Sequence, residues 1–134
     1  MFMDSIQPRK QRKYRYDAPL HLRRKMVSVH LSKELRAKLS TRKRNAPLHK
    51  GDRVKVMRGG RKGHTGKVIE VSLTDLKVYV EGVSQRTAKG VEKLMPLQPS
   101  NLLIMDGEFT KDRLAMLQRS GKAASAALLK QAKK

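Results

Sequence analysis

The residues best suited to chemistry lie in one segment, KGDRVKVMRGGRKGHTGKVIEV, which covers residues 50–71. Its glycines can adopt positive φ or allow another backbone to approach closely; they are Gly59, Gly60, Gly63 and Gly66. Arginine and lysine side chains surround them. Such a turn lets backbone N–H groups and cations meet the same phosphate. The segment therefore predicts a phosphate contact, although a tight turn with solvated charges would have the same composition.

Two other phosphate-binding motifs fit this segment poorly. A Walker A loop requires Ser or Thr after its lysine, whereas Val68 follows Lys67. The letters GRKG at residues 60–63 satisfy the GxxG pattern of a KH loop. That loop joins two helices, and here valine-rich runs flank it. The glycine segment is therefore predicted to join two strands.

Catalytic and metal-binding patterns are not indicated by the sequence. The histidines His21, His30, His49 and His64 lack the paired spacing of zinc ligands. The chain has no cysteine, and no nucleophile or acid–base motif accompanies its carboxylates and hydroxyls. We therefore expect no enzymatic activity, no metal and no cofactor.

The charge of the chain predicts a polyanionic partner. With 32 basic and 11 acidic residues the formal net charge is +21, and such an excess repels itself unless it is neutralised. The net charge is +12 over residues 1–50, +3 over residues 51–109 and +6 over residues 110–134. Only 4% of the residues are aromatic, which favours recognition of phosphates and folded RNA shape over base stacking.

An anionic membrane surface is the other candidate partner. The longest aliphatic run, residues 102–105, is far shorter than the roughly 20 apolar residues that span a bilayer. The N-terminal residues also lack the apolar stretch of a secretory signal. We therefore expect a cytoplasmic protein without a membrane span.

A nearly neutral middle between basic flanks predicts one compact domain with two extensions. Apolar alternation at residues 54–56, 68–71 and 78–80 is typical of short strands. A hairpin over residues 83–97 and a run at 102–105 complete about five strands. The apolar positions available for the core are Val54, Val56, Val68, Ile69, Val71, Val78, Val80, Leu94, Leu102 and Ile104.

The predicted fold is thus mainly β, with a small barrel over residues 48–107. Residues 1–47 form a basic extension with a short helix at about 33–41, for which Ser32 provides the N-cap. Residues 108–134 form a basic helical extension.

The N-terminal extension contains three basic clusters, at residues 8–16, 21–25 and 41–44. They are too rich in charge and too poor in apolar residues to fold alone, so an extended arm that becomes ordered on RNA is expected. Solvated charge is the alternative. Tyr14 and Tyr16 suit either stacking on a base or packing on the barrel. The predicted RNA-binding residues are Arg9, Lys10, Arg12, Lys13, Arg15, Arg23, Arg24, Lys25, Arg42, Lys43, Arg44, Lys50, Arg58, Gly60, Arg61, Lys62, Gly63, Lys67, Arg86 and Lys89.

The pattern GDxVxVxxGxxKGxxGxV, from Gly51 to Val68, resembles the KOW motif of ribosomal proteins and transcription elongation factors. Flanking segments extend the resemblance over residues 5–120; they are PRKQRK, APLHLRRK, LSKELR, VYVEGV and PSNLLI. Together they are similar to the archaeal and eukaryotic branch of one large-subunit ribosomal protein family, number twenty-four, called number twenty-six in eukaryotes. The lack of a long internal insertion is typical of the archaeal form.

The resemblance implies an SH3-like barrel that binds the 5′ domain of large-subunit rRNA, acts early in subunit assembly and lies near the polypeptide exit tunnel. It also implies neighbouring large-subunit ribosomal proteins as partners, together with nascent-chain or targeting factors at the tunnel exit. A KOW-type transcription elongation factor is the alternative. Such factors carry an additional α/β domain before the KOW unit, and about 50 residues with a large excess of basic side chains leave no room for it.

Overall fold

The structure is a computed structural model that describes residues 5–119, so the predicted extension beyond residue 119 lies outside the described residues. The described part contains four α-helices: α1 (Pro8–Asp17), α2 (Leu20–Met26), α3 (Lys33–Lys38) and α4 (Lys111–Gln118). It also contains eight strands: β1 (Ser28–Leu31), β2 (Asn45–Pro47), β3 (Arg53–Val56), β4 (Thr65–Ser72), β5 (Lys77–Val80), β6 (Ser84–Arg86), β7 (Glu92–Leu94) and β8 (Leu102–Asp106). This composition agrees broadly with the predicted mainly β fold.

Six of these strands form one sheet in the order β2–β1–β8–β3–β4–β5. β1 and β8 pair in parallel, and the other neighbours are antiparallel. Val54 of β3 lies opposite Gly66 of β4 on one side and Ile104 of β8 on the other. β6 and β7 form a separate two-stranded hairpin. The glycine segment therefore connects a central strand of the main sheet, β3, to its neighbour β4.

Alternating side chains of the main sheet build the core, as the valine pattern predicted. β3 buries Val54 and Val56, and β8 buries Leu102 and Ile104, each at most 1% exposed. β5 alternates in the same way. Full burial of one such side chain stabilises the fold by about 1.5–3 kcal/mol relative to exposure. These strands give the β3–β4 loop a rigid base.

Two predicted core positions are wrong. Leu94 is 40% exposed, because it lies on β7, and the β6–β7 hairpin is separate from the main sheet. Ile69 is only half-buried and does not pack against the core, because successive strand residues point to opposite faces and its neighbour Val68 faces inward. The β4–β5 register then shifts between Val68 and Glu70, and this bulge returns Val71 to the core side, where it packs against the buried residues.

Part of the predicted N-terminal extension belongs to the sheet. β1 and β2 lie within residues 1–47, and they contribute Val29, Leu31 and Ala46 to the hydrophobic core. β1 has only four residues and β2 only three, so their alternation is too short to stand out among the surrounding charges. The sheet therefore extends beyond the predicted barrel of residues 48–107.

The basic clusters before β1 are helical, and the prediction of an extended arm is wrong. Pro8 begins α1, where its fixed φ suits a helix and its missing N–H costs no hydrogen bond. At the other end, Arg23 of α2 donates to the carbonyls of Tyr16 and Ala18. These bonds satisfy carbonyl groups near the end of α1 that lack intrahelical partners. Arginine, lysine and glutamine are also good helix formers.

The helix predicted near residue 33 begins as expected. The Ser32 hydroxyl accepts a 3.1 Å hydrogen bond from the Leu35 N–H, which is the N-cap contact that its position predicted. α3 ends at Lys38, shortly before the left-handed Ser40 at φ 47°. Leu35 is buried against the sheet.

Candidate nucleic-acid interface

The β3–β4 loop is a closed turn that two glycines shape. Gly59 and Gly63 have φ of 93° and 90°, a region that other residues enter only with strain. The Lys62 N–H donates to Gly59 O at 3.0 Å, and the Gly63 N–H donates to Val56 O at 2.8 Å. The predicted loop between two strands is thus confirmed. One hydrogen bond within the loop and one to the last residue of β3 therefore fix the loop's conformation.

The tip of this loop presents unpaired backbone donors. Within residues 5–119, the N–H groups of Arg58, Gly59, Gly60 and Arg61 donate no hydrogen bond to another protein group. Successive N–H groups around a left-handed residue form a concavity that attracts anions. The loop can therefore offer several donors to one phosphate without unfolding.

Gly60 differs from its neighbours in the loop. Its φ lies outside the left-handed region, and a Cβ atom at this position would meet nothing within 4 Å. The fold of the chain thus accepts a side chain at Gly60, whereas Gly59 and Gly63 need their glycine backbone. A requirement for glycine at position 60 would have to come from a ligand that approaches the backbone.

Exposed cations accompany the loop donors. Arg58, Arg61 and Lys62 lie in the loop and are exposed, and the exposed Lys67 lies on β4 opposite Arg53, at the other end of the β3–β4 pairing. Arg61 also donates from Nη2 to Ser84 O at 3.4 Å, near the limit of a hydrogen bond. The structure therefore places the predicted cations Arg58, Arg61 and Lys62 in the same loop as the free N–H groups, and Lys67 on the adjoining strand.

His64 links the β3–β4 loop to the β5–β6 turn by a hydrogen bond, a role that the sequence did not predict. Its Nε2 lies 2.8 Å from Glu81 O, and a carbonyl only accepts, so Nε2 carries the proton. A Cβ on Gly82 would lie 2.8 Å from the imidazole ring, and a Cβ on Gly66 would lie 2.6 Å from Glu81 O. These two glycines allow the imidazole and the β5–β6 turn to pack closely. The sequence shows both glycines and His64, but it does not show that His64 contacts Glu81 and Gly82 across the fold.

The cations of α1 form a second exposed group. Arg9, Lys10, Arg12, Lys13 and Arg15 are all exposed, and α1 buries none of its residues. A helix without an apolar face gains little from packing. Its charges are therefore arranged for solvent or for a polyanion.

Several predicted RNA-binding side chains contact the protein itself. Arg23 caps α1, as described above. The Arg24 Nη2 lies 2.8 Å from the His49 Nε2, and the Lys43 Nζ donates to Met116 O. The Arg86 Nε forms an exposed 3.1 Å ion pair with Glu92, of the kind that adds at most about 1 kcal/mol. The remaining predicted cations are exposed; they are Lys25, Arg42, Arg44, Lys50 and Lys89.

A buried ion pair joins α4 to the sheet, and the sequence did not reveal it. The Arg113 guanidinium donates to both carboxylate oxygens of Asp52, at 2.7 and 2.8 Å. It also donates to the carbonyls of Glu108 and Pro47 and lies 4.5 Å from the centre of the Phe109 ring. The two side chains are 1% and 2% exposed. This arginine therefore holds the fold together and is not available to a ligand.

His49 lies beside this ion pair and beside Arg24. Partial burial, with the positive charges of Arg113 and Arg24, lowers the pKa of His49 below its usual value of 6.5, against a smaller opposing effect of Asp52. Its backbone N–H donates to Asp52 at 2.9 Å. A neutral imidazole can accept from Arg24, so the contact between the two side chains requires His49 to stay unprotonated.

Residues 5–119 contain no group of three or more His, Asp or Glu side chains placed to hold a metal ion. Within the same residues, no helix is both long and apolar enough to cross a membrane.

The fold and the site together define a small basic β-sheet protein that presents a loop with unpaired N–H groups and a cationic helix. Its sequence over residues 5–120 matches the family model that describes the eukaryotic ribosomal proteins L26 and their archaeal counterparts, numbered twenty-four. The large ribosomal subunit protein uL24 of Pyrobaculum islandicum is 43% identical over 122 residues, which cover 90% of this chain and 98% of the relative. The chain belongs to this family of ribosomal proteins. Membership confirms the predicted family and its place in the large subunit of the cytoplasmic ribosome.

Proposed function

We propose that this chain is a structural component of the large subunit that binds large-subunit rRNA through the β3–β4 loop and the cations of α1. The observation that carries the proposal is the loop tip, where unpaired N–H groups of residues 58–61 lie among exposed cations. Backbone donors and cations of this kind bind phosphate oxygens and fix the register of a protein on nucleic acid.

The mechanism is neutralisation of closely packed phosphates by a rigid, preformed surface. The sheet gives the loop its base, and the closed turn means that little order has to be gained on binding. We place the strands in an SH3-like barrel, which the curvature expected at the bulges in the β3–β8 and β4–β5 pairings supports. If about ten phosphates are bound, log affinity falls against log salt with a slope of about −7 to −9. The proposal needs no catalytic group.

Three finer features of the proposal come from the family resemblance. They are binding to the 5′ domain of the rRNA, a role early in subunit assembly and a location near the polypeptide exit tunnel. In the family, the segment that corresponds to residues 83–94 projects toward the tunnel mouth, and we propose the same for this chain. The β6–β7 hairpin in this segment exposes Val91 and Leu94, and Met95 beside them is also exposed. Exposed apolar groups on a charged protein suit an interaction with neighbouring proteins, or with nascent-chain or targeting factors.

In-cell crosslinking of the full chain, followed by sequencing of the attached RNA, tests this proposal. Reads concentrated at one place in the 5′ domain of large-subunit rRNA are expected. Reads scattered over nascent messages would contradict it and favour the alternative, a KOW-type transcription elongation factor. A charge-reversed variant, Lys62→Glu with Lys67→Glu, is the control, because its loop should lose crosslinks while the fold persists.

A further inference from the structure

We infer that the cleft between α1 and the β4–β5 turn is a binding site for a single unstacked RNA base. The inference rests on the proposed RNA-binding function and adds a base contact to a surface otherwise described through phosphates. The cleft has a volume of about 520 Å³. Arg12, Arg15 and Tyr16 line it from α1, and Asp75, Lys77 and Tyr79 line it from the turn and β5.

An exposed aromatic ring is the first observation. Tyr16 is 79% exposed, so its ring is not used by the core, and the packing role considered for it from the sequence does not apply. Tyr79 lines the same cleft and is half-buried between Val78 and Val80. One exposed and one anchored ring thus border the same space. Aromatic side chains are the platforms on which unpaired bases stack, with about 1–3 kcal/mol per base.

Charge complementarity is the second observation. Arg12, Arg15 and Lys77 border the cleft and provide positive charge for the phosphates on either side of an inserted base. A single carboxylate, Asp75, lies among them. Carboxylates accept hydrogen bonds from N–H groups on base edges, such as the N3–H of uracil. The cleft therefore combines a stacking surface, phosphate-binding cations and a base-edge acceptor.

The far wall of the cleft is preformed. Leu76 is 6% exposed and has a left-handed φ of 55°, so burial holds it in a conformation that leucine seldom adopts. The Ser72 hydroxyl accepts from the Asp75 N–H and donates to Asp75 Oδ2, both at 3.2 Å. These hydrogen bonds fix the turn that carries Asp75. The base would thus enter between a fixed turn and the exposed face of α1.

A site for one base agrees with the low aromatic content of the chain. Few aromatic residues argue against binding of a long single strand, in which successive bases need successive rings. One cleft with two rings suits one base that leaves a folded RNA, as in loops and bulges.

Tryptophan fluorescence can test the site, because the chain contains no natural tryptophan. Tyr16→Trp places one fluorophore at the cleft. Ile6→Trp is the matched control, since Ile6 is 91% exposed and does not line the cleft. Each full-length variant is titrated with single-stranded oligouridine and with an RNA duplex of the same length. Anisotropy of labelled RNA reports binding independently.

The expected result is quenching of Trp fluorescence in the Tyr16→Trp chain by oligouridine, with much weaker quenching by the bound duplex and in the Ile6→Trp control. Tyr16→Ala should weaken oligouridine binding about 5- to 150-fold, and Tyr16→Phe should retain it. Unchanged emission while anisotropy shows bound RNA would overturn the base site alone, as would equal quenching by duplex. Absence of binding to any RNA would overturn the proposed function itself.

Discussion

α1 and α4 both come from basic flanks of the chain, but they use arginine in opposite ways. α1 keeps its five cationic side chains exposed and buries no residue. α4 turns Arg113 inward, where its side chain pairs with Asp52 and is 1% exposed. A count of charges cannot separate these roles, because the difference depends on whether a carboxylate lies in the core. The comparison of the two helices shows that net charge indicates a polyanionic partner. The burial of each cation decides whether it can contact that partner.

Removal of one member of the buried pair should give the largest effect. Arg113→Ala leaves the Asp52 carboxylate buried without its partner, so the free energy of unfolding should fall by about 3–5 kcal/mol. Urea unfolding followed by circular dichroism measures the decrease. The matched control is Arg9→Ala in α1, which should change stability by less than about 0.5 kcal/mol. Equal decreases in the two variants would remove the distinction between the helices.

Glycine substitutions in the β3–β4 loop should separate folding from binding. Gly59→Ala and Gly63→Ala force alanine into positive φ, with an expected destabilisation of about 1–2 kcal/mol each in urea unfolding. Gly60→Ala should leave stability unchanged, because nothing lies within 4 Å of the added Cβ. It should still weaken binding to large-subunit rRNA if the RNA backbone approaches the loop. Full affinity in this folded variant would argue against that approach.

Charge reversal beside the loop should weaken binding without unfolding. Lys62→Glu with Lys67→Glu replaces two exposed cations, so affinity for large-subunit rRNA should fall and its salt dependence should become shallower. Each phosphate that the variant no longer neutralises changes the slope by about 0.7–0.9. Lys62→Arg with Lys67→Arg keeps both charges and is the control. Native circular dichroism together with unchanged affinity in the reversed variant would exclude the loop from the interface.

The pH dependence of stability should give the smallest effect. Because the pKa of His49 is lowered in the folded chain, the unfolded chain binds a proton at this residue more readily. The contribution of His49 to the free energy of unfolding is therefore fully present above pH 6.5, the usual pKa of histidine. It is lost as the pH falls below that value. Urea unfolding at several pH values should show a weaker decline in His49→Gln than in the natural chain. An identical decline would show that the protonation of His49 is not linked to folding.

The sequence predicted the parts of the fold that depend on local pattern. Val54 and Val56 alternate into the core, and Ser32 caps α3, because period-two burial and capping are set by neighbouring residues. The sequence did not predict β1 and β2. Their few apolar residues join the core only because β1 pairs with β8 and β2 pairs with β1. The sequence also did not decide which of Val68, Ile69 and Val71 face the core, because the bulge that decides this is a property of two strands together.

The same limit applies to the site. The glycine loop could be found from its composition, since positive φ and exposed charge are local properties. The Asp52–Arg113 pair joins residues 61 positions apart, and no spacing rule connects them. The cleft beside Tyr16 likewise depends on how α1 lies against the β4–β5 turn.

The central claim is that exposed cations bind RNA whereas buried ones hold the fold, and the salt dependence of rRNA binding tests it most directly. In the test variant, glutamine replaces each of the five α1 cations, Arg9, Lys10, Arg12, Lys13 and Arg15. In the charge-matched control, lysine replaces the three arginines of this set. For each phosphate that the glutamine variant no longer neutralises, the slope of log affinity against log salt should become shallower by about 0.7–0.9, with unfolding unchanged. An unchanged slope in the glutamine variant would contradict the account.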